Sequence, residues 1–221
     1  MNNLISYIIR ALVFLIAIPF HEAAHAWVSW KLGDPTAKNH GRMTMDPRVH
    51  FHPIGFLCML VAGVGFARPV PADTRNFKNP KIGMAITAAA GPLSNFVLAA
   101  FSLILYKVFY YCASVNTLNQ YIATFLYYMV IYNVGLAVFN LMPVPPWDGS
   151  RIALLFLPRK WYFKVMQYEH AIFIGMFLLL SLGVFDAPLY YAEYSLIEVL
   201  DSMTGFVDRM LLALYNMGVG V

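Results

Sequence analysis

Apolar positions along the chain fall in long blocks, separated by polar stretches marked with proline and glycine. The first block, Leu4 to Phe20, predicts a membrane helix continuing to about Leu32, where Gly33-Asp34-Pro35-Thr36 supplies a helix stop and a turn. Pro19 lies inside this helix and frees a carbonyl one turn upstream. Blocks at Ile82–Tyr106, Tyr121–Met142 and about Met166–Phe185 predict further spans. The run Ile54 to Ala67 is only about 14 residues, below the roughly 20 that a helix needs to cross a bilayer. It is expected to be a re-entrant or interfacial element, with a tilted extra span as the alternative. Arg68-Pro69-Val70-Pro71 reads as extended chain, because each proline disfavours helix in the residue before it. From Pro188 to Val221, Glu193, Glu198, Asp201, Asp208 and Arg209 are mixed with apolar residues, which fits either a further packed helix or an amphipathic element at the interface. The expected fold is an all-α polytopic membrane protein. Its core is three transmembrane helices with a short re-entrant or β-hairpin-like insertion, and about four to six spans in total.

Composition supports a lipid environment: the 221 residues are 60% hydrophobic and 12% charged, against about 25% charged in soluble domains. The length suits a single membrane domain. The net charge of +4 is modest and reads as the charge bias of membrane loops, so no nucleic-acid partner is expected. Eight of the fifteen basic residues lie between Lys31 and Lys81, and Arg151, Arg159, Lys160 and Lys164 follow Gly149, whereas the stretch 107–120 holds only Lys107. Basic loops stay in the cytoplasm. The amino terminus is therefore expected outside, the 31–81 region inside, the 82–106 span running outward and the 121–142 span returning. No cleavable signal peptide is expected. Cys58 and Cys112 are far apart in apolar surroundings, without metal or disulfide spacing, and are expected to be small buried hydrophobes.

Candidate chemistry sits at the end of the first block, in His21-Glu22-Ala23-Ala24-His25. Residues four apart share a helix face, so the two imidazoles can meet one metal ion, and Glu22 stands one step round the cylinder. This is the zinc-protease reading of such a pattern, with two histidine ligands and a general base. Two histidines and a carboxylate in an apolar segment are costly without a role. The Tyr121–Met142 span ends in Asn140-Leu141-Met142-Pro143-Val144-Pro145-Pro146-Trp147-Asp148-Gly149, an irregular backbone tolerated at membrane depth only against protein or a wet cavity. Asp148 is thus a candidate metal ligand and Asn140 a candidate donor to substrate. Taken without the histidines, Asp148 is better read as a turn residue. The charge topology brings His21, His25 and Asp148 to a similar depth. Asn95, in Gly91-Pro92-Leu93-Ser94-Asn95, is either an interhelical hydrogen-bonding residue or a contact near a buried site. His40, His50, His52 and His170 are read as plain polar residues.

Together these segments resemble the site-2 protease family of intramembrane zinc metalloproteases, especially its compact microbial members. The matching pieces are His21-Glu22-Ala23-Ala24-His25, Gly33-Asp34-Pro35-Thr36-Ala37, Gly41-Arg42, Arg68-Pro69-Val70-Pro71, Asn76-Phe77-Lys78-Asn79-Pro80, Gly91-Pro92-Leu93-Ser94-Asn95, and Asn140-Leu141-Met142-Pro143 through Asp148-Gly149. The resemblance runs from about residue 5 to about residue 160 in the family's order. It implies one zinc ion held by His21, His25 and Asp148, a zinc-bound water as nucleophile, Glu22 as the base, and Asn140 and Asn95 in contact with substrate or oxyanion. It further implies one integral-membrane metalloprotease domain over residues 1–221, with a catalytic core at about 4–160 and additional C-terminal helices at about 166–221. The PDZ and CBS domains of larger members are not expected. The implied partners are a membrane-protein substrate helix and the lipid bilayer, with a homo-oligomer left open, and the implied location is the cell membrane (inner or plasma) with the site towards the cytoplasm. The alternative is a non-catalytic polytopic protein, either a metal transporter or a helix-binding pseudoprotease.

Overall fold

The computed structural model describes residues 3–62, 67–114 and 116–216. The first apolar block forms α1 (Asn3–Lys31), followed by the single-turn helices α2 (Thr36–Asn39) and α3 (Pro47–His50) and the ten-residue α4 (Pro53–Ala62). An extended stretch and a 3-10 turn at Thr74–Asn76 lead into α5 (Pro80–Cys112), which is capped by Asn79, and then α6 (Thr117–Asn140), which is capped by Asn116. The remainder comprises α7 (Asp148–Ala153), α8 (Arg159–Gln167), α9 (Glu169–Ser181) and α10 (Asp186–Asn216).

Three helices, α1, α5 and α6, are long and apolar enough to cross a membrane, and they are the expected core. The block at Met166–Phe185 behaves differently. It yields α9, whose 13 residues span about 20 Å, less than the roughly 30 Å hydrocarbon layer. α9 meets α10 at an 85° bend, so the pair adds at most one span, for up to four among the described residues. The tail is a packed helix: Leu200 is fully buried and clusters with Ala99, Val130 and Val134 of α5 and α6. Of the expected insertion, residues 54–62 are helical in α4, residues 63–66 lie outside the described residues, and no strand forms among those described.

α5 is the centre of the bundle, packed against α1, α6, α7 and α10. Its buried face carries small residues at helical spacing (Ala88, Gly91, Asn95, Ala99, Ser102), which lets neighbouring backbones approach closely. α1 meets it with a stripe at every fourth position, Ile9, Val13, Ala17, His21, His25 and Ser29, all buried. The two histidines therefore continue the packing stripe of the membrane helix. Outward faces are apolar, as at Ile8, Leu12, Leu93 and Val97, and suit lipid.

Two polar hubs fasten the segments between α1 and α5. Asp34 is completely buried. Its carboxylate accepts hydrogen bonds from Ser29 Oγ (3.1 Å), Thr36 N–H (3.0 Å), Thr36 Oγ1 (2.5 Å), Asp73 N–H (2.8 Å) and Asn76 Nδ2 (2.8 Å). Burial alone raises its pKa, but these donors outweigh it and hold the carboxyl at about 2. Gly33 just before it has φ 106°, the left-handed conformation that ends α1. Arg42, also buried, donates from Nη1 to the Val49 carbonyl (2.6 Å) and from Nη2 to the carbonyls of Arg68 and Pro69. It thereby ties the extended 68–71 segment to α3.

Two further expectations change. Cys112, the last residue of α5, is exposed, because the helix runs past the packed core before it ends. Lys107 is not a loop residue. It is buried within α5, where its Nζ lies 2.8 Å from Asp201 Oδ1 and 2.5 Å from Asp208 Oδ2 of α10.

Candidate metal centre

The site is built where α1, α5 and the broken end of α6 meet. His21 and His25 lie one turn apart on the α1 stripe, with ring centroids 4.6 Å apart and planes at 84°. Their Nε2 atoms approach to 3.0 Å. Asp148 Oδ2 completes a triangle, 3.2 Å from His21 Nε2 and 3.1 Å from His25 Nε2.

What stands behind each imidazole fixes its tautomer. His25 Nδ1 lies 2.7 Å from the Thr87 carbonyl, which can only accept, so Nδ1 carries the proton and Nε2 presents a lone pair. His21 Nδ1 faces Asn95 Oδ1 at 2.9 Å in the same sense. With both rings neutral, three acceptor atoms converge with no hydrogen between them, in a pocket where both histidines are buried. Such an arrangement is repulsive unless a cation stands among the three. Tetrahedral ligands about 2.0–2.1 Å from a zinc ion lie roughly 3.3–3.4 Å apart, close to the observed edges. The donor set, two imidazoles and one carboxylate with a fourth side left open, fits zinc.

Backbone approach makes the geometry possible at two glycines. A Cβ on Gly91 would lie 2.3 Å from His25 Nε2 and 2.5 Å from His21 Cε1, so the rings rest directly on the bare backbone of α5. A Cβ on Gly149 would lie 2.1 Å from the Leu141 carbonyl oxygen, so only glycine lets α7 start against the end of α6. Trp147, just before Asp148, is buried with Met142 and Met176 and meets Phe139 edge-on at 5.0 Å. This anchor carries the proline-rich break and sets Asp148 at the first position of α7.

The remaining sequence candidates fall elsewhere. Glu22 is half-buried beside the pair. Asn95 is fully buried, with Oδ1 behind His21. Asn140 donates one Nδ2 hydrogen to the Leu136 carbonyl of its own helix, at 2.9 Å. His40 hydrogen-bonds the Thr36 carbonyl (2.8 Å) and His50 the Thr44 carbonyl (3.0 Å), while His52 Nδ1 accepts from the Gly55 N–H (3.3 Å). Each belongs to its own loop, and the His170 side chain lies outside the described residues. Sequence reasoning missed the Gly91 seat, the Thr87 carbonyl and the Gly149 contact. The Gly-Pro and Asp-Gly pairs were the only signal of them.

Comparison with known proteins gives the following matches. The model of peptidase family M50 matches residues 107–182, the stretch holding α6, the proline break and Asp148. A Bacillus subtilis protein named for zinc metalloprotease activity, YwhC, is 37% identical over 180 residues, covering 80% of this chain and 81% of the relative. MJ0611 of Methanocaldococcus jannaschii, similarly named, is 30% identical over 173 residues, 71% of this chain and 83% of its own length. From the same organism, Zinc metalloprotease MJ0392 is 28% identical over 161 residues, 73% of this chain and 38% of that larger relative. No solved structure matches.

Proposed function

Because the chain belongs to peptidase family M50, the site-2 protease family of zinc metalloproteases, we propose that it hydrolyses peptide bonds of transmembrane or membrane-proximal segments at one zinc ion held by His21, His25 and Asp148, with Glu22 as general base. The convergence of three buried lone-pair atoms at 3.0–3.2 Å carries this reading. The chain is an integral membrane metalloprotease. That the cut falls within the bilayer is supported by the position of His21 and His25 on α1 and by their seat against Gly91 of α5, two of the helices long and apolar enough to span it.

A zinc ion bound there supplies Lewis acidity, which lowers the pKa of a water towards about 7 and polarises a carbonyl. Glu22 takes the proton from the attacking water and returns it to the departing amine. Thr87 and Asn95 orient the imidazoles and keep Nδ1 protonated, so Asn95 acts as a positioning residue through His21. Asn140 spends one amide hydrogen on Leu136 and keeps the other for the oxyanion or substrate. A membrane helix hides its carbonyls in its own hydrogen bonds, so the substrate must unwind before attack. In the 68–71 segment, held by Arg42, Val70 keeps the backbone N–H that the two prolines lack, and it is the point at which such a segment pairs. Basic-loop bias supports an orientation with the site on the cytoplasmic side of the membrane.

The test compares purified wild type with Glu22→Gln and Asp148→Ala for zinc content and for cleavage of a model membrane-helix substrate. Glu22→Gln is expected to keep its zinc and lose turnover by at least about 100-fold, whereas Asp148→Ala loses both. Wild-type-like turnover by Glu22→Gln overturns the mechanism.

A further inference from the structure

Above the metal centre, α1 forms one wall of a narrow crevice that the proposed mechanism does not use. Phe14, Leu15, Ile18 and Pro19 line one side, and Pro47, His50, Phe51, His52 and Phe56 face them. Ile18 lies one turn before Glu22 and Leu15 two turns before it, so the crevice opens on the same face of α1 as the base. Its space is apolar apart from two imidazoles, and His52 hydrogen-bonds the Gly55 N–H. His50 is buried, and since its Nε2 must donate to the Thr44 carbonyl, its Nδ1 is an acceptor with no partner among the described residues. A buried acceptor without a donor is unfavourable unless something supplies one. The crevice wall is also continuous with the extended segment, because Arg68 N–H donates to the His50 carbonyl (2.9 Å) and Arg42 joins Val49 to Arg68 and Pro69.

We infer that this crevice is the side-chain subsite that sets sequence preference: it takes a large aliphatic or aromatic side chain flanking the scissile bond, and His50 Nδ1 accepts a hydrogen bond from the backbone N–H of the same unwound segment. The inference rests on the protease reading given above. An unwound substrate is the occupant that answers both features, since it carries an apolar side chain and a freed amide donor together. A lipid chain brings no such donor to His50. The free volume is no more than one water, about 10 Å³, so an incoming side chain displaces Phe51. That ring is 42% exposed and tilts against Phe56 at 5.2 Å, so it has room to turn outward.

The experiment uses the zinc-loaded full chain in detergent and a model membrane-helix peptide whose cut site is mapped by mass spectrometry. Each residue flanking the cut is set in turn to Ala, Asp, Leu or Phe, and kcat/KM is measured. In the wild type, one flanking position is expected to favour Leu or Phe over Ala by about 10-fold or more. Ile18→Trp, which fills the crevice, is expected to abolish that preference, bringing kcat/KM for the Leu and Phe peptides down to the level of the Ala peptide with the zinc content unchanged. Phe51→Ala, which widens it, shifts the preference towards Phe and keeps the inference testable should the tryptophan variant fail to fold. His50→Phe is expected to slow all peptides together without changing the cut site. A flat wild-type profile, or parallel losses on every peptide in both crevice variants, overturns the subsite while leaving the protease reading intact. Lack of cleavage by the wild type overturns both.

Discussion

At Gly91 a side chain is excluded by the two imidazoles rather than by backbone conformation, since a Cβ there would lie inside contact distance of both rings. Gly91→Ala is therefore expected to push His21 and His25 out of register, with zinc content falling below half of wild type by elemental analysis while the helical content is kept. Asn95→Ala removes the oxygen that orients His21. It should weaken zinc binding by about 10–100-fold in competition with a chelator, the usual cost of losing a ligand's hydrogen-bond partner. Asp34 gives a pH prediction. Its folded pKa of about 2 lies below the ordinary 3.8, so its contribution is complete above about pH 4 and is lost as pH falls from there through about 2. Melting temperature should drop across that window in the wild type, and less steeply in Asp34→Asn, which is less stable at neutral pH by roughly 1.5–3 kcal/mol. The histidine pair was legible in the sequence because an i, i+4 spacing on a helix needs no tertiary knowledge. Gly91 and Thr87 were not, because they meet the rings from another helix, and nothing local to their segment marks that contact.

The core helices were legible for the same kind of reason. Long apolar blocks ended by Asn79-Pro80, Asn116 and Gly33 leave little freedom in α1, α5 and α6. The tail was not, because an acidic residue in a membrane-length helix has no sequence signature for its partner. The structure supplies it: Asp201 and Asp208 flank the buried Lys107. Lys107→Met removes the cation from between two carboxylates and should destabilise the bundle by roughly 1.5–3 kcal/mol, the value moderated because Asp201 keeps contact with solvent. Adding Asp208→Leu is expected to recover part of this loss, as well-packed apolar replacements of buried ion pairs do. Chemical denaturation in detergent micelles measures both, and an additive double variant would show that the helices do not interlock through these groups.

For the whole molecule, the bundle holds the triad towards one end of its spanning helices. The lysine that sequence placed in the opposite loop is neutralised inside the bundle, which leaves the cytoplasmic assignment resting on the basic segments 31–81 and 151–164. Cys112 checks the proposed orientation. In a Cys58→Ser background, a membrane-impermeant thiol reagent added to intact cells should label it, because it is exposed at the end of α5 remote from the site. Protection in intact cells with labelling only after lysis reverses the orientation. Fold class was readable from composition and block length alone. The count of spans was not, because whether α9 and α10 make one crossing depends on an 85° bend set by packing around Trp147 and Met176.

The bare backbone beneath the histidines also limits the coordination that an ion can find there. Rings that rest on α5 cannot retreat to lengthen their bonds, and Asp148 is pinned from the other side by Gly149 against Leu141. The triangle is thus held near edges of 3.0–3.2 Å, which opens the ligand angles furthest for ions that bond at about 2.0–2.2 Å, whereas calcium, which takes six to eight oxygens at about 2.3–2.6 Å, meets two nitrogens and one carboxylate. Cobalt is expected to replace zinc with activity retained, whereas a large excess of calcium leaves the apo-enzyme silent. Among first-row ions of similar size, the choice then falls to the softness of the two nitrogens and to whichever metal the cell supplies.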